Sequence, residues 1–344
     1  MSFFQYITPS GGFASAAGRL EKFCGTLAVE HTALYNTLRK KNGGGSAPGA
    51  SIPEGTAMAE IWKGAPVAAA LTEKAAADAA RLKECGVVPT LAILRVGERA
   101  DDLAYERAAI KRCAQAGVAV LPTALAADVG EDAFFRTLDG LNHDDSVHGI
   151  LMLRPLPKQL DGERARKLLA PEKDVDGCTD GSLAGVFANA PLGFPPCTAQ
   201  AVMALLRHYG VDVAGMRAAV VGRSLVVGRP VALLLQHANA TVTVCHTRTR
   251  DVSSITRAAD LVIAACGQPE HIGADYLRAD QIVVDVGLSW SEAKQKLCGD
   301  VDFDAAEPLV RAITPAPGGI GSVTTAVLCA HTVEAARRSG GVRP

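Results

Sequence analysis

The sequence predicts an α/β protein of two domains, an N-terminal α/β domain and a doubly wound parallel sheet of the Rossmann type. Three observations carry this. From about residue 58 onward, helical patterns alternate with short β-branched runs, as in a parallel sheet with helices packed on it. The run AAVVGRSLVVGRPVALLL places glycines where a buried strand gives way to a helix. A chain of 344 residues is also too long for one small core and suits two.

The elements follow in order. The first fifty-odd residues end in KKNGGGSAPGASIPEG, a linker rich in glycine, serine and proline. Upstream of it, FASAAGRLEKFCGTLAVEHTALYNTLRKK fits one amphipathic helix or two, but lacks the serine and arginine richness of a targeting peptide. Met58 opens MAEIWKG and is a natural start for the working protein, so residues 1–57 are read as an extension and linker without a catalytic part. VAAALTEKAAADAARLKECG then reads as helix, TLAILRVG as strand, AYERAAIKRC as helix, VAVLPTAL as strand, EDAFFRTLDGLNHD as helix and GILMLRPLP as strand and loop. A second series has AVMALLRHYG as helix, AAVVG as strand, PVALLLQHANA as helix, then strands TVTVC, ADLVIAACG and QIVVDVG, and a last helix TTAVLCAHTVEAARR.

Composition excludes several classes of function. Lysine and arginine (35) nearly balance aspartate and glutamate (36), which points away from a nucleic-acid partner and toward a small molecule. The nine cysteines form no C-x-x-C pair, so neither a metal site nor a disulfide framework is expected, and a reducing, cytoplasmic compartment is. No run of about eighteen apolar residues is present to span a membrane.

Gly222 ends a predicted strand, and Gly228, Arg229 and Pro230 open the next helix. Such a turn aims backbone N–H groups and a helix dipole at a pyrophosphate. Ser224 stands where the full dinucleotide fingerprint has its second glycine, so the segment by itself also fits an ordinary turn. The following strand ends TVTVCHTRTRD, with His246, Thr247 and Arg248 and no acid to hold ribose hydroxyls. Together with Arg223 this reads as a pocket for a 2′-phosphate, hence NADP, with NAD left open; Arg248 and Arg250 also fit a solvated charge pair. Gly267 in AACGQP, and Gly287 and Leu288 in VDVGLSW, fall at strand ends where a cofactor approaches the backbone.

Two proline-containing loops, RPLPKQLD with Pro155 and ITPAPGGIGSVTTAVL with Pro317, Gly318 and Gly319, have the rigidity and close approach that site walls need. Asp176, ending KDVD, offers two acceptor oxygens to the N–H groups of an electron-poor heterocycle, or serves as a turn aspartate.

Together LAILRVG, the tyrosine helix, GILMLRPLP, PEKDVDG, PPCTAQAV, VVGRSLVVGRP, TVTVCHTRT, VIAACGQP, VVDVG, GDVDF and ITPAPGGIGSVTTA resemble the FolD family, bifunctional methylenetetrahydrofolate dehydrogenase/methenyltetrahydrofolate cyclohydrolases. The resemblance runs in order from about Met58 to the last helix. It implies a homodimer whose subunits hold a tetrahydrofolate one-carbon derivative in a cleft between a folate-site domain (58–197 with 315–344) and an NADP domain (198–314). The last helix would return to the first domain. It also implies that Tyr105 borders the pterin and orients it, that Asp176 hydrogen-bonds its ring, and that Gly222, Arg223, Ser224 and Leu288 touch the cofactor.

The departures matter as much as the matches. In the family pattern a lysine follows the tyrosine by four residues; here that position is Ala109, and Lys111 matches a second lysine. At roughly 100° per residue, position 109 lies nearly above Tyr105 while position 111 is turned well away. The family's glutamine before the proline loop corresponds to Leu153, followed by Arg154. Asp102 replaces a serine, and Ser322 replaces a proline. Hydride transfer needs two molecules held in near-attack geometry and no acid or base. Hydrolysis of the methenyl product needs a proton carrier, worth roughly a hundredfold to ten-thousandfold. The expectation is a dehydrogenase of one-carbon metabolism whose cyclohydrolase activity is weak or lost, with a separate cyclohydrolase acting downstream. Its alternatives are a full bifunctional enzyme in which Asp102 or Arg154 carries the proton, and a folate or dinucleotide sensor without catalysis.

Overall fold

The computed structural model describes residues 58–340; the expected extension, 1–57, lies outside the described residues. Two parallel sheets organise the chain. The smaller is built from β2 (Thr90–Val96), β3 (Ala119–Leu125) and β4 (Gly149–Met152), in the order β3-β2-β4. β2 runs in the middle, paired with β3 from Thr90↔Ala119 to Val96↔Leu125 and with β4 from Leu91↔Gly149 to Leu94↔Met152. Its LAIL core is buried, the continuous apolar pattern of a parallel strand covered on both faces. The helices α1 (Gly64–Glu84), α2 (Ala100–Ala116) and α3 (Glu131–His143) fall between these strands much as the periodicity predicts.

After two short helices, α4 (Gly162–Leu168) and α5 (Asp180–Ala188), α6 (Cys197–His208) leads into the second sheet. That sheet alternates β5 (Arg217–Val221), α7 (Gly228–His237), β6 (Thr241–Cys245), α8 (Val252–Ala258), β7 (Leu261–Ala264) and β8 (Ile282–Asp285). Its order, β1-β11-β8-β7-β5-β6, is parallel throughout and reverses direction about β5, as in a doubly wound fold. β5, β7 and β8 are buried almost end to end, which explains their valine- and isoleucine-rich runs.

Several elements escaped the sequence reading. β1 (Glu60–Ile61) and β11 (Ala312–Ile313) have two residues each, too short for any periodicity, yet they extend the larger sheet. β1 does so although it precedes every strand of the smaller one. An antiparallel hairpin, β9 (Ser289–Ser291) with β10 (Lys296–Cys298), follows β8. The expected strand ADLVIAACG is strand only over Leu261–Ala264, because the chain turns at Cys266 and Gly267 at the carboxyl end of this interior strand. A four-residue helix, α9 (Phe303–Ala306), precedes β11, and α10 (Ile320–Ser339) closes the chain. As expected, α10 returns to pack on α1, α2 and α6. Buried valine, leucine and alanine positions of α10 share one apolar core with α1, α2 and α6.

Six of the eight described cysteines are buried and all eight are free thiols, so most of them serve as small apolar core residues. Among the described residues no helix is long and apolar enough to cross a membrane, and no cluster of His, Cys, Asp or Glu could hold a metal.

Candidate active site

The first cavity, about 520 Å³, opens at the carboxyl ends of β2 and β4. Tyr105, Arg154 and Asp176 line it, with Leu151, Met152 and Leu153 from the end of β4, Arg99, Asp101 and Asp102 from the start of α2, and Cys197 from α6.

Tyr105 is presented by α2, which begins with Asp101 and Asp102 near its positive end and stops at Gly117 in the left-handed region, φ 69°. Its neighbour Glu106 accepts a hydrogen bond from Arg95 Nε at 2.7 Å, a nearly buried ion pair that pins the helix to the end of β2. Burial pushes the Tyr105 phenol well above its usual pKa, with the Asp176 charge adding to the rise, so Tyr105 is a neutral ring and hydroxyl. Ala109, one turn on, is fully buried in the core, and Lys111 is exposed. Leu153 belongs to the same core cluster, its side chain almost without exposure. Arg154 precedes Pro155 through a cis peptide, as Ala316 precedes Pro317.

Asp176 stands on a turn made by a residue the sequence reading passed over. Asp174 is wholly buried and accepts hydrogen bonds from Cys178 N, Thr179 N and Ser182 Oγ at 2.7–3.0 Å. Gly177 follows at φ 72°, where a Cβ would collide with the Pro195–Pro196 backbone. The turn therefore closes against PPC, and the Asp176 carboxylate faces the cavity. Burial raises its pKa to about 6, while Arg154, whose Nη2 donates to Asp176 Oδ2 at 3.4 Å, pulls it down. Pro317 and Gly318 are exposed and Gly319 is buried at the start of α10; none of the three lines this cavity, although Thr324 of α10 does.

The second cavity, about 500 Å³, lies at the carboxyl ends of β5, β6 and β7. Gly222, Arg223, Ser224 and Thr247 line it, as do His246, Thr249, Cys266 and Gln268. Gly222 has φ 128°, and a Cβ there would collide with the Ala265 carbonyl; one on Gly228 would collide with Gly222 itself. Only glycine lets these two loops approach. Ser224 Oγ accepts from Val227 N at 3.1 Å and Gly228 N at 3.4 Å, so the residue at the missing glycine position closes the loop that leads into α7, whose first turn holds Gly228, Arg229 and Pro230. Arg248 follows Thr247 on the exposed turn after β6, and its N–H donates to His246 Nδ1 at 3.1 Å. Neither Arg223 nor Arg248 pairs with an acid among the described residues. Asp251, the nearest acid after β6, spends its carboxylate capping α8 through Ser253 and Ser254.

Gly267, Gly287 and Leu288 sit on neighbouring loops, held by two carboxylates that sequence reasoning missed. Asp300 is fully buried and accepts from Cys266 N at 2.6 Å and Gly267 N at 2.9 Å. Asp285 accepts from Gly287 N at 2.9 Å and from Asp300 N and Val301 N, both at 3.0 Å. The two aspartates lace the loops after β7, β8 and β10 into one cradle. Both lie in motifs singled out from the sequence, VVDVG and GDVDF, but acids inside apolar runs gave no hint of which backbone groups they bind.

Two family models match the chain. Residues 62–176 match the catalytic domain of tetrahydrofolate dehydrogenase/cyclohydrolase, and residues 196–340 match its NAD(P)-binding domain. The chain belongs to the tetrahydrofolate dehydrogenase/cyclohydrolase family. Among relatives, the bifunctional protein FolD of Carboxydothermus hydrogenoformans is 47% identical over 286 residues, which span 83% of this chain and all of that one. The crystal structure of the bifunctional enzyme FolD from Campylobacter jejuni superposes with a TM-score of 0.78 at 36% identity, covering 81% of this chain and 98% of the other. That of the Trypanosoma brucei FolD, complexed with NADP cofactor and inhibitor, gives 0.77 at 34% identity, covering 84% and 100%. The first cavity is thus bordered by the family's catalytic domain and the second lies in its NAD(P)-binding domain. A dinucleotide fits the second cavity, an opening of about 500 Å³ at the strand ends of the NAD(P)-binding domain, lined by the Gly222–Ser224 loop with Arg223 among its residues.

Proposed function

We propose that this chain is an NADP-dependent 5,10-methylenetetrahydrofolate dehydrogenase of one-carbon metabolism, with cyclohydrolase activity weak or lost. The observation that carries the proposal is the wall beside Tyr105. Ala109 and Leu153 are both aliphatic and both buried in the core, so no side chain at these two positions can take or return a proton.

The chain's own part in the dehydrogenase step is positioning. NADP, when bound, supplies a nicotinamide carbon that accepts hydride. Gly222 and Gly228 hold the loop between β5 and α7 close to the sheet, Arg223 and Ser224 of that loop line the cavity for the pyrophosphate, and the Asp285–Asp300 lacing fixes the loops of Gly267 and Gly287 beside it. Arg223 and Arg248, free of acidic partners, are the cations available to a 2′-phosphate, and the commitment of Asp251 to capping removes an acid that would favour NAD. Tyr105 and Asp176 orient the folate ring, with Leu153 and the Pro155 loop as walls of its cleft. The two lobes are taken as 58–197 with 315–344, apart from β1, and 198–314. The homodimer, the cytoplasmic location and a separate downstream cyclohydrolase belong to the same proposal.

Asp102 favours one second reading. It lines the folate cavity one turn before Tyr105, with its carboxylate 4.0 Å from Arg99 Nε, and a carboxylate can shuttle protons. Arg154 is no such carrier, because a guanidinium stays charged. The test supplies protein starting at Met58 with methylenetetrahydrofolate and NADP while NADPH and methenyl absorbance are followed separately. Stoichiometric methenyl accumulation is the expected result. Its catalysed disappearance, abolished in Asp102→Asn, would establish the bifunctional reading; binding of both ligands without hydride transfer would establish a sensor.

A further inference from the structure

We propose that Arg154 and Asp176 act as one recognition pair, a hydrogen-bond donor set beside an acceptor, that reads the H–N–C=O edge of a cyclic amide in the substrate's ring. Binding of the ring by Asp176 follows from family membership; the part of Arg154 does not, and it rests on the dehydrogenase reading above.

Three observations lead there. First, the pair is close but unsaturated. Arg154 Nη2 stands 3.4 Å from Asp176 Oδ2, longer than the usual 2.7–2.9 Å of a charge-assisted bond. Second, the remaining capacity faces a cavity. Arg154 lines the 520 Å³ space with Asp176 and Tyr105, and its side chain keeps 30% of its surface accessible. Its guanidinium has five N–H donors, Nε is buried without a partner, and an outer N–H not used on Asp176 can serve an acceptor on the ligand. Third, the neighbouring groups are engaged elsewhere. Arg99 Nη1 donates to Pro155 O at 3.2 Å and its Nε approaches Asp102.

A carboxylate accepts only and a guanidinium donates only. Side by side they complement a group presenting one N–H and one C=O on adjacent atoms, which is the edge of a lactam. An aliphatic residue at 154 would leave Asp176 able to bind N–H groups alone, whereas this chain can also reward the neighbouring carbonyl.

The charge of Arg154 has a second consequence. Asp176 is pressed toward neutrality by burial and by Asp174, and held toward the charged form by Arg154 and, to a lesser degree, by a hydrogen bond from Cys197. Arg154 supplies the opposing field, so it keeps Asp176 an acceptor at neutral pH. In Arg154→Leu that acceptor would protonate at higher pH.

The experiment compares wild type with Arg154→Leu and Arg154→Lys in steady-state oxidation of methylenetetrahydrofolate across pH 5–8. In Arg154→Leu the KM for the folate should rise about tenfold or more. The KM for NADP should stay within twofold, and the acidic limb of kcat/KM should move from near pH 6 toward neutrality. Arg154→Lys should return the acidic limb but not the KM, since it keeps the charge without the planar fork. An unchanged folate KM and an unchanged acidic limb in Arg154→Leu would overturn the proposal. If the wild type oxidises no methylenetetrahydrofolate, the functional reading fails by itself. The pair is still tested by carbon-13 carboxyl NMR, with Asp176 assigned through Asp176→Asn. An equal Asp176 titration midpoint in wild type and Arg154→Leu would overturn it, and a raised midpoint would support it. NADP binding measured by fluorescence confirms that each variant is folded.

Discussion

The two cavities are nearly equal in size and each opens at the carboxyl ends of parallel strands, but they are built from different materials. The frame around the dinucleotide cavity is set by backbone contacts: glycines that let loops touch, a helix start, and neighbouring N–H groups laced by Asp285 and Asp300. The folate cavity is largely side chain: Tyr105, Arg154, Asp176 and their aliphatic neighbours. A backbone-built site is fixed by the fold, and changing it changes the fold. A side-chain-built site can be edited while the scaffold stays. On the proposed reading, the expected departures Asp102, Ala109, Leu153 and Ser322 fall on the folate side of the chain, which is where that difference predicts they should.

The largest effect should come from adding one carbon to the backbone-built site. Gly222→Ala forces a Cβ into the Ala265 carbonyl at a φ of 128° that alanine rarely adopts. We expect NADP affinity to fall by roughly a hundredfold or more and the melting temperature to drop by several degrees. Retention of near-wild-type affinity in a fluorescence titration would mean that the loops yield more than backbone construction implies.

Next in size is a gain. Ala109→Lys combined with Leu153→Gln should raise the catalysed loss of methenyl absorbance by roughly a hundredfold. Dehydrogenase turnover should stay within a few fold. Each single variant should achieve less, because the pair acts as a unit. Because position 109 is buried, thermal melting must accompany the assay; a folded double variant with no hydrolysis would show that the folate site lost more than these two side chains.

How much of this was readable beforehand follows the same division. The alternating elements and the glycine turn at 222 and 228 were visible, since each depends on periodicity or on a residue with one conformational use, whereas the return of α10 came from the resemblance. The roles expected of Tyr105 and of position 109 came only through resemblance, while Asp176 was a candidate on its chemistry alone. β1 and β11 were not, because two-residue strands are made by their neighbours in the sheet. Asp174, Asp285 and Asp300 were not, because a buried acid and a surface acid look alike until the backbone N–H groups around them are known. Pro317 and Gly318 were read as walls of the cleft and stand exposed beside it.

Asp300→Asn should act on the dinucleotide side at intermediate size. Its Oδ2 serves both Cys266 N and Gly267 N, and an amide in that place can keep an acceptor there only by turning its NH2 toward a buried position that has no acceptor of its own. The KM for NADP should rise roughly tenfold with the folate KM unchanged, since hydrogen bonds to a charged acceptor contribute about 1.5–3 kcal/mol. Equal rises in both would place the lacing in the whole fold and not in the cofactor cradle alone.

The smallest effect is on the folate side, and it should leave activity at neutral pH alone. His331 of α10 is buried, with its ring 4.9 Å from that of Phe194, and Nδ1 lies 2.9 Å from Val175 O. A carbonyl only accepts, so Nδ1 carries the proton and the other nitrogen is bare in the neutral ring. Burial lowers the pKa from an ordinary 6.5 to about 4. The folded chain therefore binds fewer protons at this site than the unfolded chain between pH 6.5 and 4. Stability from this group is complete above about pH 6.5 and is lost as pH falls toward 4, by up to ~3 kcal/mol. His331→Gln should be destabilised at pH 7 by the loss of packing but should show a flatter decline in melting temperature between pH 7 and pH 4. Because Val175 directly precedes Asp176, the wild-type decline should be accompanied by loss of folate binding before NADP binding is affected. Parallel loss of both ligands would mean that the two cavities unfold together and that their different construction has no counterpart in local stability.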